Sequence, residues 1–283
     1  MTNNDLFSAK TTLNIRGQLL MLDHPIVMGI INITPDSFYS KSRVNSIKDI
    51  IAKAEQMLAE GATILDIGGF STRPRASQVS EEEELNRLLP ALKEIVKNFP
   101  EAIISVDTFR AEIAKATIDS GASMINDITA GCDKEMFALI AETEVPYIIM
   151  HMRGPIEKMM ENLHYDNIIL EITNYFQKRL KELRSLGIKD IIIDPGFGFS
   201  KTLDQNYEIL NNLAYFKALG TPLLVGVSRK SMIYNLLGTS ASEALVGTSV
   251  ANFSALEKGA RILRVHDVKE AMETIKIYNK LTS

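Results

Sequence analysis

Acidic and amide side chains end three of the apolar runs in this chain. Asp107 ends the run "AIISVD", Asn126 ends "SMIN" and Asp194 ends "DIIID". Because an unpaired charge is costly inside a protein, carboxylates at the ends of buried strands need partners. Together the three side chains suit a flat heterocycle that carries an amino group, ring nitrogens and a carbonyl. The alternative is that either aspartate caps the next turn, since Asp-Pro-Gly at 194–196 is itself a turn sequence.

A second group of side chains is cationic and also follows apolar runs. It consists of Arg73, Lys230, Arg264 and His266, to which Asn32 adds an amide oxygen. Cations that converge on one end of a fold favour phosphate or diphosphate as a ligand. The amide of Asn32 would join the diphosphate and water around Mg²⁺. The chain lacks both the G-x-x-x-x-G-K-[ST] pattern of a nucleotide P-loop and the H-x-x-x-H or H-E-x-x-H spacing of a zinc site.

The elements that must position these residues are apolar runs alternating with amphipathic segments. The runs are continuous and rich in Ile and Val, which is typical of strands buried on both faces of a parallel sheet. They end at Asn32, Ile67, Asp107, Asn126, Met150, Asp194, Ser228 and Arg264. The segment "SIKDIIAKAEQMLAEG" has apolar residues at helical spacing, and Ser80 with Glu83 predicts a capping box at the start of another helix.

This alternation predicts an α/β fold, a single-domain (β/α)8 TIM barrel covering residues 1–283. Residues 26–283 form the barrel, and "TTLNIRGQLLMLDHP" predicts a hairpin within residues 1–25 that closes the barrel floor. The active sites of such barrels lie at the C-terminal ends of the strands, where both groups of polar residues fall. An open doubly wound sheet is the alternative, but no G-x-G-x-x-G follows the first strand.

Composition excludes several classes of protein. The chain has 283 residues, a net charge of −4 and no basic tail, so it offers a nucleic acid little electrostatic attraction. Cys132 is the single cysteine, which excludes an internal disulfide. No apolar run reaches the roughly 18–20 residues of a membrane span, and the N-terminus lacks the apolar core of a signal peptide. These features predict a soluble cytoplasmic protein that binds neither nucleic acid nor membrane.

An ordered set of motifs between residues 28 and 268 resembles a known family. The motifs are "MGIINITPDSF", "ILDIGGFSTRP", "SVDT", "MINDI", "MHM", "DPGFGFSKT", "GVSRKS" and "RVHDV". In this order they resemble the dihydropteroate synthase family of pterin-binding enzymes, in its single-function bacterial form. The resemblance implies a sulfonamide-target transferase of folate biosynthesis that acts as a homodimer through barrel helices. It would join (7,8-dihydropterin-6-yl)methyl diphosphate to 4-aminobenzoate, with Mg²⁺, and release 7,8-dihydropteroate and diphosphate.

The resemblance also assigns residues to sites. The implied pterin pocket contains Asp107, Asn126, Met150, Asp194, Lys230 and Arg264. The implied diphosphate site contains Asn32, Thr72, Arg73, Arg264 and His266, with Asn32 as the metal ligand. The implied aminobenzoate pocket contains Phe38, Thr72, Pro74, Phe199 and Ser231. The implied catalytic residues are Asp107, Asp194, Lys230, Arg264 and His266. The loop "GGFSTRPRAS", residues 68–77, would therefore serve both the diphosphate and the second substrate.

The chemistry implied by the family fits these side chains. Loss of diphosphate leaves a positive charge on the methylene carbon, which Asp107 and Asp194 can stabilise while cations and Mg²⁺ hold the leaving group. The arylamine nitrogen then attacks, and no protein nucleophile is needed. The chain departs from the common family pattern in two loops, at Ser40, Lys41 and Ser42, at Phe70 in place of Glu, and at Arg75 in place of Gly.

Three other functions fit parts of the sequence. A pterin-dependent methyltransferase would share the barrel and the carboxylates but would not need the cationic group. A Schiff-base aldolase would use Lys230, whose pKa the neighbouring Arg229 could lower, although Arg229 is better interpreted as an ordinary surface ion-pair residue. A ligand-binding barrel without activity is the non-enzymatic alternative.

Overall fold

The computed structural model describes residues 11–33, 43–69, 80–161 and 163–283. An antiparallel hairpin of β1 (Thr12–Ile15) and β2 (Gln18–Met21) comes first. The strands that follow are β3 (Ile26–Asn32), β4 (Ile64–Gly68), β5 (Ile103–Asp107), β6 (Met124–Asp127), β7 (Tyr147–Met150), β8 (Ile191–Asp194), β9 (Leu224–Val225) and β10 (Ile262–Val265). The α-helices are α1 (Arg43–Glu60), α2 (Glu81–Asn98), α3 (Ala111–Asp119), α4 (Met136–Thr143), α5 (Ile168–Ser185), α6 (Leu203–Asn211), α7 (Ser231–Leu237), α8 (Leu245–Glu257) and α9 (Val268–Thr282).

Strands β3 to β10 form one parallel sheet that closes on itself. Their order is β8-β7-β6-β5-β4-β3-β10-β9, so the first barrel strand pairs with both the second and the last. A bridge between Ile193 and Leu223 joins the two edges, and the Ile193 amide donates to the Pro222 carbonyl at 3.1 Å. The predicted (β/α)8 barrel is confirmed, and the open-sheet alternative is wrong.

The predicted run "PLLVGVS" forms a shorter strand than expected. Pairing with β10 ends at Val225, so the predicted extension to Ser228 is wrong. Beyond this point the hydroxyl of Ser228 accepts a hydrogen bond from the His266 amide at 3.1 Å. A hydrogen bond to a side chain thus replaces the next backbone–backbone hydrogen bond between the two strands at the mouth of the barrel.

The hairpin closes the N-terminal end of the barrel, as predicted. Leu13, Ile15 and Leu22 are buried against residues at the start of the barrel strands, such as Met28 and Ile192. The Asn14 amide also donates to the Asp190 carboxylate at 3.2 Å. Apolar burial of this kind contributes about 1.5–3 kcal/mol for each large side chain.

A second apolar layer lies between the barrel and its helices. It includes the fully buried Met57, Leu88 and Phe176, from α1, α2 and α5. Ser80 caps α2 by accepting from the Glu83 amide at 3.2 Å, as the sequence predicts. The predicted return bond is replaced, because the Glu83 carboxylate pairs with Arg87. Among the described residues, no helix has both the length and the apolar character of a membrane span.

Candidate active site

Asp107 and Asn126 lie side by side at the C-terminal end of the barrel. Asp107 is the last residue of β5 and Asn126 lies in β6, and the two are register partners. On its other side Asp107 is paired with Gly68, the last residue of β4. This adjacency follows from the parallel sheet, because neighbouring strands present their ends at one rim.

Arg264 joins this rim to a carboxylate that the sequence analysis did not single out. Its guanidinium donates to Asp66 Oδ2 through Nε at 2.7 Å and to Asp107 Oδ2 through Nη2 at 2.8 Å. The Asn126 amide donates to the same Asp66 oxygen at 3.2 Å, and Asp66 Oδ1 has no hydrogen-bond partner within the described ranges. Asp66 therefore gathers two residues assigned to the pterin pocket, and a carboxylate inside the apolar run "ILDIG" was the available signal.

The charges of this group alter one another's protonation. Burial raises the pKa of Asp107 to about 7, with Arg264 opposing the rise and Asp66 adding to it. Burial by itself would lower the pKa of Arg264, but the carboxylates of Asp66 and Asp107 hold it above its ordinary value. Arg264 is thus a permanent cation, whereas Asp107 changes charge near neutral pH.

Asp194 and Lys230 complete the charged lining of the mouth. Asp194 Oδ1 accepts from the Gly196 amide at 2.8 Å, so this carboxylate does cap the Asp-Pro-Gly turn. The position that a Cβ would take on Gly226 lies 3.9 Å from Asp194 Oδ2 and 3.7 Å from Arg264 Cβ. Burial raises the pKa of Asp194 and lowers that of Lys230 to about 8, and each opposes the shift of the other. Asp194 therefore serves the turn and the pocket together.

Phe199 and Met150 form an apolar wall next to these charges. Both are buried in a cluster with Ile128 and Met159. Lys230 Nζ lies 4.9 Å from the centroid of the Phe199 ring and donates to the Phe197 carbonyl at 2.6 Å. A cation over the face of a ring is an attractive contact, and it ties the wall to the charged lining.

His266 and Arg229 connect the segments that follow β9 and β10. His266 Nδ1 lies 3.0 Å from the hydroxyl of Ser228. Arg229 binds both oxygens of Asp267, at 2.8 and 2.9 Å, and donates to two backbone carbonyls. The interpretation of Arg229 as an ion-pair residue is confirmed. These bonds hold His266 and Lys230 on two segments that are tied to each other.

Two predicted residues are exposed at the rim. Asn32 ends β3, and Ser231 begins α7 directly after Lys230. Several other predicted residues lie outside the described ranges, and their assignments stay predictions: Phe38, Thr72, Arg73 and Pro74, together with the departures at Ser40, Lys41, Ser42, Phe70 and Arg75.

The chain is similar to known proteins over nearly its whole length. Residues 28–266 match the family model described as pterin binding enzyme. Dihydropteroate synthase of Escherichia coli (strain K12) is 44% identical over 264 residues, covering 93% of each chain. The dihydropteroate synthase of Yersinia pestis, solved with a sulfonamide drug, superposes with a TM-score of 0.90 at 38% identity, covering 96% of this chain and 99% of that one. The Xanthomonas albilineans enzyme, solved with 4-aminobenzoic acid, gives 0.89 at 36% identity, covering 97% and 99%. This chain belongs to the dihydropteroate synthase family.

Membership of the dihydropteroate synthase family leaves two buried residues without an assigned role. Lys201 ends the motif "DPGFGFSK", and His151 follows β7 directly. Lys201 Nζ lies 3.1 Å from His151 Nδ1, and both side chains are almost fully buried. Burial lowers the pKa of Lys201 to about 7 and that of His151 to about 2. The polar motif around Lys201 suggests an exposed lysine, which is why the sequence analysis passed over it.

Proposed function

We infer that this chain catalyses the dihydropteroate synthase reaction, in which a dihydropterin carrying a methyl diphosphate is joined to 4-aminobenzoate. The observation that carries the inference is that Asp107, Asn126, Asp194, Lys230 and Arg264 come together at one end of the barrel. Family membership supplies the reaction class, and the protein is a transferase of folate biosynthesis.

The lining suits the pterin because it presents carboxylates and an amide to a flat ring. Amino and ring N–H groups donate to carboxylate oxygens, while Lys230 donates to a ring nitrogen or carbonyl. Asp66 neutralises Arg264 from within the barrel wall, at 2.7 Å. The guanidinium therefore does not depend on Asp107 alone, and Asp107 remains available to the pterin.

Asp107 and Asp194 are the groups we assign to the developing cation. Asp194 is buried and only 15% of the Asp107 side chain is exposed, so both charges act in a medium of low polarity, where electrostatic stabilisation is strongest. The arylamine nitrogen attacks the methylene carbon after the bond to diphosphate breaks, and the nitrogen then loses its proton to water or to a carboxylate. No covalent intermediate with the protein is required.

The diphosphate is assigned to the cationic side of the mouth, with Arg264 and His266. For Mg²⁺, the described part of the chain has no group of three or more His, Cys, Asp or Glu side chains that could hold a metal. The exposed amide of Asn32 can supply one oxygen ligand to such an ion. Mg²⁺ usually keeps several waters and takes its other ligands from phosphate oxygens. Bound in this way, Mg²⁺ would neutralise charge on the departing diphosphate.

The test is an assay for diphosphate release that requires both substrates. We expect release only when the dihydropterin diphosphate and 4-aminobenzoate are present together, with dihydropteroate identified by mass. A methyltransferase would release no diphosphate. The lowered pKa of Lys230 also suits a Schiff base, so borohydride trapping with a carbonyl substrate tests the aldolase alternative. Covalent trapping at Lys230 without diphosphate release would contradict the proposal.

We also propose that the protein acts as a homodimer through α7, α8 and α9. These helices pack on one another, and they expose the large apolar side chains Leu236, Leu237, Val246, Val250, Ile277 and Leu281. Exposed apolar side chains on helices that pack together support a protein partner, and a second copy is the partner that the family resemblance implies. Light scattering should give twice the mass of the chain, and Val250→Glu should give a monomer. A monomeric parent protein would refute the proposal. The cytoplasmic location stays a prediction.

A further inference from the structure

Lys201 brings four polar atoms together at one buried point. Its Nζ lies 2.8 Å from the Phe199 carbonyl, 2.9 Å from the Gly196 carbonyl, 3.2 Å from the His151 carbonyl and 3.1 Å from His151 Nδ1. Asp194 is the carboxylate that acts on this lysine electrostatically, and it opposes the lowering of the pKa of Lys201 by burial. Buried carbonyls need donors, and a lysine supplies up to three N–H groups from a single atom.

The acceptors belong to two loops that lie at the mouth of the barrel. His151 follows β7, and the residues from Pro195 to Ser200 follow β8. The backbones of the two loops are in close contact, because a Cβ on Gly196 would lie 2.1 Å from the His151 carbonyl oxygen. Gly196 has a φ of +75°, in the left-handed region that favours glycine. Lys201 thus fastens the β8 loop to the end of β7.

The β7 side of this contact is held by packing and by a hydrogen bond. The His151 ring packs edge-on against Tyr175 of α5, with centroids 4.9 Å apart, and the Tyr175 hydroxyl donates to the Met150 carbonyl at 3.4 Å. The lowered pKa of His151 keeps its ring neutral, so the ring does not place a second cation beside Lys201. The β8 loop is therefore held against a fixed support.

The other side of the β8 loop reaches the substrate pockets. The Phe197 carbonyl accepts from Lys230, and the Phe199 ring lies under the same ammonium. The β8 loop is thus bound by the buried Lys201 through the carbonyls of Gly196 and Phe199, and by Lys230 of the pocket through the carbonyl of Phe197. A shift of the loop moves the Phe199 wall directly.

We propose that Lys201 is a positioning residue, which acts through the backbone of the β8 loop to hold Phe199 where the aminobenzoate pocket requires it. The proposal rests on the function proposed above. Two pterin-pocket residues are independent of this lysine, because Asp107 and Asn126 lie on β5 and β6 and are held by Arg264 and Asp66. Asp194 accepts from the Gly196 amide of the loop, but its own backbone lies within β8 and is paired with Met150 of β7. Loss of the lysine should therefore affect one substrate more than the other.

The test is Lys201→Met, which keeps the apolar stem and removes the donors. If the lost hydrogen bonds contribute a net free energy of about 1–1.5 kcal/mol, the KM for 4-aminobenzoate should rise about tenfold. We expect the KM for the pterin diphosphate to change by less than about threefold, from the same scale. Lys201→Arg, which restores N–H donors, should bring the aminobenzoate KM back towards the parent value.

A stability control separates positioning from general loosening of the fold. Thr117 is fully buried in α3, where its hydroxyl donates to the Ile113 carbonyl at 2.9 Å, and Thr117→Val removes that donor away from the mouth. We expect a lower melting temperature with both KM values unchanged. If Lys201→Met does not fold, Lys201→Gln replaces it in the test. Glutamine keeps two amide donors, so we expect a smaller rise in the aminobenzoate KM and the same selectivity between the two substrates.

The outcomes are distinguishable from a failure of the proposed function. If the parent protein does not release diphosphate from the two substrates, the function is wrong, whatever Lys201 does. If the parent is active and Lys201→Met raises both KM values equally, or lowers only the melting temperature, the positioning role is refuted. A selective rise in the aminobenzoate KM that Lys201→Arg reverses supports it.

Discussion

The charge of Asp107 should matter to turnover far more than to folding, and Asp107→Asn tests this. The Asp107 carboxylate lies 2.8 Å from the Arg264 guanidinium, in a partly buried position at the end of β5. A cation about 4 Å from a carboxylate gains about 4 kcal/mol at an effective dielectric constant of about 20. Arg264 offsets part of this attraction, so we expect a loss of about 2.7–4 kcal/mol, or about 10²–10³-fold in kcat.

The same substitution should not lower stability at pH 8. Burial raises the pKa of Asp107 to about 7, whereas a carboxyl of the unfolded chain titrates at about 3.9. Between these pH values the folded state keeps a proton that the unfolded state has lost, so the parent protein loses stability as pH rises through this window. Asparagine has no charge to bury. The melting temperature of Asp107→Asn relative to that of the parent protein should therefore rise from pH 4 to pH 7 and then stay constant.

The measurements are kcat from diphosphate release at pH 8 and thermal unfolding at pH 5 and pH 8. Asp127→Asn is the matched control, since Asp127 is a fully buried carboxylate on the neighbouring strand whose Oδ2 accepts from the Tyr147 hydroxyl at 2.6 Å. We expect the control to lose stability and to keep its turnover when folded. Near-normal kcat in Asp107→Asn, together with an unchanged melting temperature, would refute the role in stabilising the cation.

Three further predictions concern the mouth of the barrel. His266→Ala and Arg264→Ala should each weaken binding of the diphosphate substrate more than binding of a free pterin, and calorimetry with equal losses for both ligands would remove the assignment. Arg264→Ala should also destabilise the fold by about 3–5 kcal/mol, because it leaves a buried carboxylate unpaired. The kcat/KM for the pterin substrate should fall as pH drops through about 7, where Asp107 gains a proton. It should also fall as pH rises through about 8, where Lys230 loses a proton. A flat profile from pH 6 to 9 would contradict both assignments. Gly196→Ala should lower the free energy of unfolding by about 2–4 kcal/mol, because its Cβ would lie 2.1 Å from a backbone oxygen at a residue with positive φ. An unchanged midpoint of urea unfolding would show that the loop relaxes around the new methyl group.

The barrel and one rim of the site could be predicted from local sequence patterns. Continuous apolar runs ending in Asp107 and Asn126 identify two neighbouring parallel strands, and neighbouring strand ends must meet. The pairing of Arg264 with Asp66 could not be predicted in this way, since it joins residues 198 positions apart and depends on barrel closure. Asp66 also lies inside its strand, two residues before the end, where a search of strand ends does not reach it.

The roles of Lys201 and of the residues after Val225 depend on backbone geometry. A lysine in a polar motif is usually exposed, and only the convergence of three carbonyls on one point explains its burial. The strand β9 is short because the Ser228 hydroxyl, a side-chain group, takes the place of a ladder partner. Hydrophobic periodicity carries no information on either feature.

The pairing of β3 with β10 has a consequence for the order in which the protein is made. Ile26 is aligned with Ile262, so the first barrel strand leaves the ribosome long before its partner and waits with an open edge. Arg264 is synthesised 157 residues after Asp107. Until then, Asp66 and Asp107 lack the cation that pairs with both of them. The last strand thus completes the wall and neutralises the site in one event, and a nascent chain that stops before it has neither a closed barrel nor a balanced pocket.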